Sequence, residues 1–242
     1  MPLRRLTARE RSPRSNWQLA AVLALTAGTV DVSGFLALHQ FTSHMSGSVA
    51  IIAADLAVRG IRVMLEPGMV LGCFLLGAAV CALLINWSRR RDRESLFALP
   101  VLLEAALLGA LALFASPNHL LLTLSVLSFS MGLQNAIITK ISQAVIRTTH
   151  ITGMVTDIGI ELGKAMYWNR SPGLPPVRAE RRHLLLLSML VTAFFFGGAV
   201  GALAYPRFGF LVMLPYSVTL AALTILPIAA DLRSSSASAD VL

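Results

Sequence analysis

Six apolar runs divide the chain, at 17–38, 67–87, 97–115, 119–139, 183–204 and 208–230. Each is near the roughly 20 residues a helix needs to cross a bilayer. Backbone placed in hydrocarbon must satisfy its own hydrogen bonds, so the runs are predicted to be transmembrane α-helices. Charged residues make up only 13% of the chain, about half the ~25% usual in a soluble domain. With 242 residues given mostly to spans, no sizeable soluble domain is expected. Residues 1–16 are strongly basic, and the first apolar run continues well past the ~7–15 residues of a cleaved signal core, so it is read as a retained helix. Cys73 and Cys81 share one run, eight residues apart, which separates them by about 12 Å along a helix and excludes a mutual disulfide.

Two further runs, 44–58 and 150–163, are only about 15 residues long, open on Ser, Thr and Gly, and contain acids. Such lengths suit re-entrant or interfacial helices better than spans. The basic residues discriminate between the topologies. If only the six long runs cross, 17 of the 20 basic residues lie on the side of the N-terminus and three, Arg59, Arg62 and Arg207, on the other. If the short runs cross as well, the division is 13 against 7. Positive charge collects on cytoplasmic loops, which favours six spans with both termini in the cytoplasm. The net charge of +8 is therefore read as topology rather than as attraction to nucleic acid, for which no interleaved stacking aromatics are present.

The short runs reveal a duplication. His44-Met-Ser-Gly-Ser-Val49 aligns with His150-Ile-Thr-Gly-Met-Val155 at an offset of 106, and Asp55 then falls on Glu161. Upstream, Gly28-Thr-Val-Asp31 aligns with Gly132-Leu-Gln-Asn135 at an offset of 104. Each half reads as long helix, short helix, long helix, long helix. Three spans is an odd number, so the second half enters the membrane from the opposite face. The expected fold is an all-α integral membrane protein of six transmembrane helices and two short re-entrant or interfacial helices, arranged as two inverted three-span repeats. Its parts are a basic cytoplasmic segment at 1–16, repeats at 17–115 and 116–230, and a disordered cytoplasmic tail at 231–242.

Gly28-Thr-Val-Asp31, Phe41-Thr-Ser-His-Met-Ser-Gly-Ser-Val49, Met131-Gly-Leu-Gln-Asn-Ala136 and Arg147-Thr-Thr-His-Ile-Thr-Gly-Met-Val-Thr-Asp157 together resemble the YoaK-like family of multi-pass bacterial membrane proteins, a domain-of-unknown-function family. The resemblance extends over about residues 17–230. It implies a place in the bacterial inner or plasma membrane and supplies no activity. The first family motif ends in Thr-Gly-Asn, where this chain has Ser46-Gly47-Ser48, so no role of an Asn amide is carried over.

Asp31 is the sharpest site candidate. A carboxyl deep in a span costs at least ~2.5–3.5 kcal/mol on insertion scales and faces a cavity or a partner. Counted from the span ends, Asp31 and Asn135 lie about 21 Å and 24 Å from opposite faces, at mirrored depths. The plain structural alternative is a hydrogen bond from Asp31 to Asn135 or Gln134 across the pseudo-symmetry axis. Ser46, Gly47 and Ser48, with Thr152 and Gly153, are read as starts of half-helices whose amides and dipoles favour an anionic or polar group. The alternative there is a capped helix lying on the surface. His44 and His150 occupy equivalent positions and are candidates for gating or proton transfer. Glu104 is expected either to line a cavity or to pair with an Arg. Glu161 and Lys164, three residues apart, are expected to form an ordinary ion pair. Gly197 with Gly201, and Gly72 with Gly77, read as packing faces, and Pro215 as a kink inside the last span.

Inverted halves with interrupted helices are a recurrent transporter architecture. The expected function is a small secondary transporter or channel-like permease for a small polar or ionic solute of undetermined identity. A non-transporting scaffold or accessory subunit is the alternative, and a lipid-modifying enzyme a weaker one. No cofactor, metal set, catalytic motif or nucleic-acid partner is indicated; lipid is the expected surroundings, and homo-oligomerisation is left open.

Overall fold

The computed structural model describes residues 13–58, 65–91, 96–115, 119–141, 150–170 and 175–239, without the side chains of 13–16, 226, 227 and 230–239. The first twelve residues, Arg59, Arg62, Arg93 and the Arg147-Thr-Thr start of one family motif lie outside them. The described chain is helical: α1 (Pro13–Leu38), α2 (Met45–Val58), α3 (Leu65–Arg90), α4 (Ala98–Phe114), α5 (Leu120–Ile141), α6 (Ile151–Met166), α7 (Arg181–Phe208), a 3-10 turn over Gly209–Met213, and α8 (Leu214–Ala239).

Each apolar run of the sequence becomes one helix. Among the described residues, Trp17–Leu38, Leu65–Arg90, Leu120–Ile141 and the continuous stretch Arg181–Ile225 are long and apolar enough to cross a membrane. The last contains 45 residues and is broken between α7 and α8 at Gly209, whose φ of 56° suits a residue without Cβ. Helices Met45–Val58 and Ala98–Phe114 are apolar but shorter. Leu75, Leu76, Leu83, Phe195, Phe196 and Leu203 are exposed on α3 and α7, an apolar exterior suited to lipid. This is an all-α membrane protein.

Helix α1 packs mainly on α7, α3 on α5, and α4 on α8. The first two pairs cross at backbone contact. A Cβ on Gly28 would stand 2.0 Å from the Phe194 carbonyl oxygen, and one on Gly197 would stand 2.0 Å from that of Leu25. The α3/α5 crossing repeats this: a Cβ on Gly132 would stand 1.9 Å from the Phe74 carbonyl oxygen, and one on Gly77 2.0 Å from that of Phe129. Leu25 and Gly28 precede Phe129 and Gly132 by 104 residues, while Phe74 and Gly77 precede Phe194 and Gly197 by 120. The same glycine-to-carbonyl contact is thus made at both crossings. Small residues permit this approach, and dispersion between the closely packed helices stabilises it where lipid offers no hydrophobic drive. Thr29 Oγ1 adds a buried 2.8 Å hydrogen bond to the Gly197 carbonyl.

Between the pairs, Gln134 Nε2 donates to the Leu23 carbonyl at 3.0 Å, and Gly34 lies against the Leu127 side chain. Position increases along α1 as it decreases along α5, so these helices run antiparallel.

Three local expectations are corrected. Gly72 has open space where a Cβ would be, so it contributes no packing face beside Gly77. Pro215 is the second residue of α8, a position where the missing N–H costs little, so it starts the helix and produces no kink. The Ser-rich stretch after residue 231, expected to be irregular, continues α8 as far as Ala239.

Candidate functional site

Helix α1 stops at Leu38, and His39, in the left-handed region at φ 54°, turns the chain back on itself. Phe41 stacks on Phe35 with centroids 4.5 Å apart, and His44 meets Phe41 edge-on, also at 4.5 Å. The returning strand of chain is fixed by Asp31, only 1% exposed. Ser43 Oγ donates to its Oδ2 at 2.7 Å, and the Thr42 N–H and Oγ1 approach Oδ1 at 3.3 and 3.4 Å. Asp31 lies seven residues before the end of α1, so α2 begins about 10 Å back along that helix. The acid in the span therefore acts on its own connection. It does not reach Asn135 or Gln134: the Asn135 amide donates to the Met131 carbonyl at 2.9 Å, and Gln134 is bonded to Leu23.

Beside Ser43 opens a cavity of about 660 Å³, lined from both halves of the chain. Ser43, His44, Met45 and Ser46 come from the start of α2, and His150, Ile151 and Thr152 from the start of α6. Asn135, Ala136, Thr139 and Lys140 come from α5 with Gly132, and Phe74, Ala78 and Ala82 from α3. The backbone contact of Gly132 with Phe74 forms the junction of these two walls. The first amides of α2 and α6 lack partners within their helices by construction, and both helix starts border the cavity. The His150 ring lies over its own first turn, so that a Cβ on Gly153 would stand 2.2 Å from His150 Nδ1. Gly47, its counterpart, has nothing within 4 Å.

Of the candidates read from the sequence, His44, Ser46, Asn135, His150 and Thr152 meet in this cavity. Asp31 stands one hydrogen bond behind it through Ser43, and Ser48 is buried in the first turn of α2. Gln134 and Glu104 do not join. Glu104 is fully buried and neither lines this cavity nor pairs with an Arg among the described residues. Gln134 is its polar neighbour, but neither carboxyl oxygen nor Gln134 Oε1 is hydrogen-bonded. Glu161 and Lys164 do pair, at 2.8 Å, and Glu161 Oε2 also accepts the Glu180 N–H at 2.7 Å, tying α6 to the start of α7. Sequence reasoning missed Ser43, Thr42 and Lys140. Lys140 had a signal: Gly132, Ala136 and Lys140 recur at i, i+4 and i+8 and therefore share one face of α5.

Residues 19–226 match the family described as "Protein of unknown function (DUF1275)". The chain belongs to that family. It is also similar to the UPF0700 transmembrane protein YoaK of Bacillus subtilis (strain 168), with 26% identity over 205 residues, covering 81% of this chain and 88% of the relative. No solved structure matches it. The matched region of the family contains both helix starts that border the cavity, Asp31 and the two glycine crossings, so the site lies wholly within what the family shares in extent.

Proposed function

We propose that this family member is a small secondary transporter or channel-like permease, built as two inverted three-span halves with both termini in the cytoplasm. The observation that carries the reading is the single cavity bordered by both copies of the His-x-Ser/Thr-Gly motif. Transporters with inverted halves bind their solutes where broken helices from the two halves meet. The antiparallel course of α1 and α5 supports the inversion, because it requires an even number of crossings between them, which α3 and α4 supply when α2 does not cross. The twofold occurrence of the glycine crossing supports rigid pairs, α1 with α7 and α3 with α5, rocking against each other about the cavity. On this reading α2 and α6 are re-entrant, α4 and α8 complete the spans, and the chain moves a solute without altering it.

The test is flux in proteoliposomes against a panel of small ions and polar solutes under imposed gradients. Flux that falls on Asn135→Ala and Asp31→Asn supports the reading. A chain that folds, inserts and moves nothing from the panel contradicts it, and stable co-purification with one partner would then favour an accessory subunit.

A further inference from the structure

We infer that the cavity between α2, α3, α5 and α6 binds a small organic anion bearing a carboxylate or phosphate group, with Lys140 as its counter-charge. The inference deepens the reading of this cavity as a solute site and rests on it. Every ionisable side chain that lines the cavity, among the described residues, is a nitrogen base: Lys140, His44 and His150. They come from three different elements and converge on one volume. No acid lines it; Asp31 lies behind Ser43 and Thr42, its Oδ2 accepting from Ser43 and its Oδ1 facing Thr42, close enough to His44 to interact with it electrostatically. Lys140 itself makes no ion pair among the described residues.

Hydrogen-bond donors accompany the charge. An ammonium carries three donors and no acceptor, and each neutral imidazole one of each. Met45 N–H is spent on the Ser43 carbonyl at 3.2 Å, but the amides that follow it in the first turn of α2, and the first amides of α6, add donors with no helical partner, together with the favourable end of each helix dipole. A cation entering here would meet hydroxyl oxygens, the Asn135 amide and the Lys140 ammonium, with Asp31 held behind Ser43 and off the wall. An anion would meet a charge and a set of hydrogen-bond donors already in place.

Size and wall chemistry narrow the class. A volume of about 660 Å³ is within the ~300–1,000 Å³ typical of small-molecule sites and far above the ~30 Å³ share of one water. Phe74, Ala78, Ala82 and Met45 supply apolar wall opposite the polar groups. A halide would leave that wall unused; an anionic head on a short carbon body would cover it.

The test measures binding separately from transport. The full chain in detergent micelles is titrated with acetate, benzoate, succinate and glycerol phosphate at constant ionic strength, with benzamide and benzylamine as neutral and cationic counterparts. Binding is read by calorimetry and thermal shift. At least one organic anion is expected to bind, with its neutral and cationic counterparts weaker. Lys140→Gln is expected to weaken that affinity about tenfold or more, while Lys140→Arg retains most of it. Lys140 is exposed at a helix end, so folding is not at stake, and His44→Asn with His150→Asn provides a second pair of variants at the opposite wall. Equal or better binding of the cation, no binding by any anion of the panel, or no effect of Lys140→Gln overturns the inference. Anion binding without flux would leave it standing while contradicting the transport reading; flux of a cation through the same cavity would do the reverse.

Discussion

Ser43 Oγ donates to Asp31 Oδ2 at 2.7 Å across the reversal that follows α1, and this bond decides where α2 begins. Removing the acceptor strands a buried hydroxyl and the buried Thr42 N–H together. Asp31→Ala is therefore expected to cost about 1–3 kcal/mol, the usual penalty of an unsatisfied buried polar group. Ser43→Ala, which leaves Asp31 with Thr42, is expected to cost less. Thermal unfolding in detergent of both variants gives the order.

The duplicated glycine crossing predicts paired sensitivity. Gly28→Ala and Gly132→Ala each place a methyl about 2 Å from a backbone oxygen, which only a shift of the helices can relieve. Each is expected to destabilise by about 1–3 kcal/mol or more, the range for overpacking. Gly72→Ala, into open space, is expected to stay within about 0.5 kcal/mol of the parent. Equal melting shifts in all three variants would remove the crossing from the account.

Much of this fold was legible in the sequence, because the apolar run length that a bilayer demands is local information. Runs placed at 44–58 and 150–163 reappear as α2 and α6 with ends within three residues. Pairing across the chain was less legible. Asp31 was weighed against Asn135 by mirrored depth alone, whereas its partner was settled by the left-handed turn at His39, which brings Ser43 back to it. In the sequence Lys140 is one of the 17 basic residues on the side of the N-terminus, and nothing short of the packed α3/α5 pair shows that its helix face opens onto a cavity. Glu104 was recognisable as an unexpected acid, but its neighbour Gln134 lies thirty residues away on another helix.

Equivalent motif glycines are expected to respond differently. Gly153→Ala collides with the His150 imidazole and should swing that ring from the cavity, altering any ligand or flux signal with little loss of stability, because a side chain rather than backbone gives way. Gly47→Ala, with nothing within 4 Å, should leave ligand response unchanged. The imidazole NMR shifts of His150 in the two variants check this directly.

At the junction of α6 and α7, the hydrogen bond from Lys164 and then that from the Glu180 N–H hold the Glu161 carboxyl below its usual range. A carboxyl lowered on folding contributes stability above its unfolded pKa, near ~4.3, and loses it as pH falls through the lower folded value. Hydrogen exchange at Glu180 and in the last turn of α6 should therefore rise on acidification below about pH 4. In Glu161→Gln that acid-dependent rise should be absent.

The central claim is that one cavity, shared by both halves, opens alternately to the two faces of the membrane. It is tested most directly by side-specific labelling. In a Cys73→Ala, Cys81→Ala background, His44→Cys and His150→Cys are each exposed to a membrane-impermeant maleimide added to one face or the other of oriented vesicles. Labelling of both positions from both faces is the predicted result. Labelling of each position from one face only, or of neither, would contradict the claim.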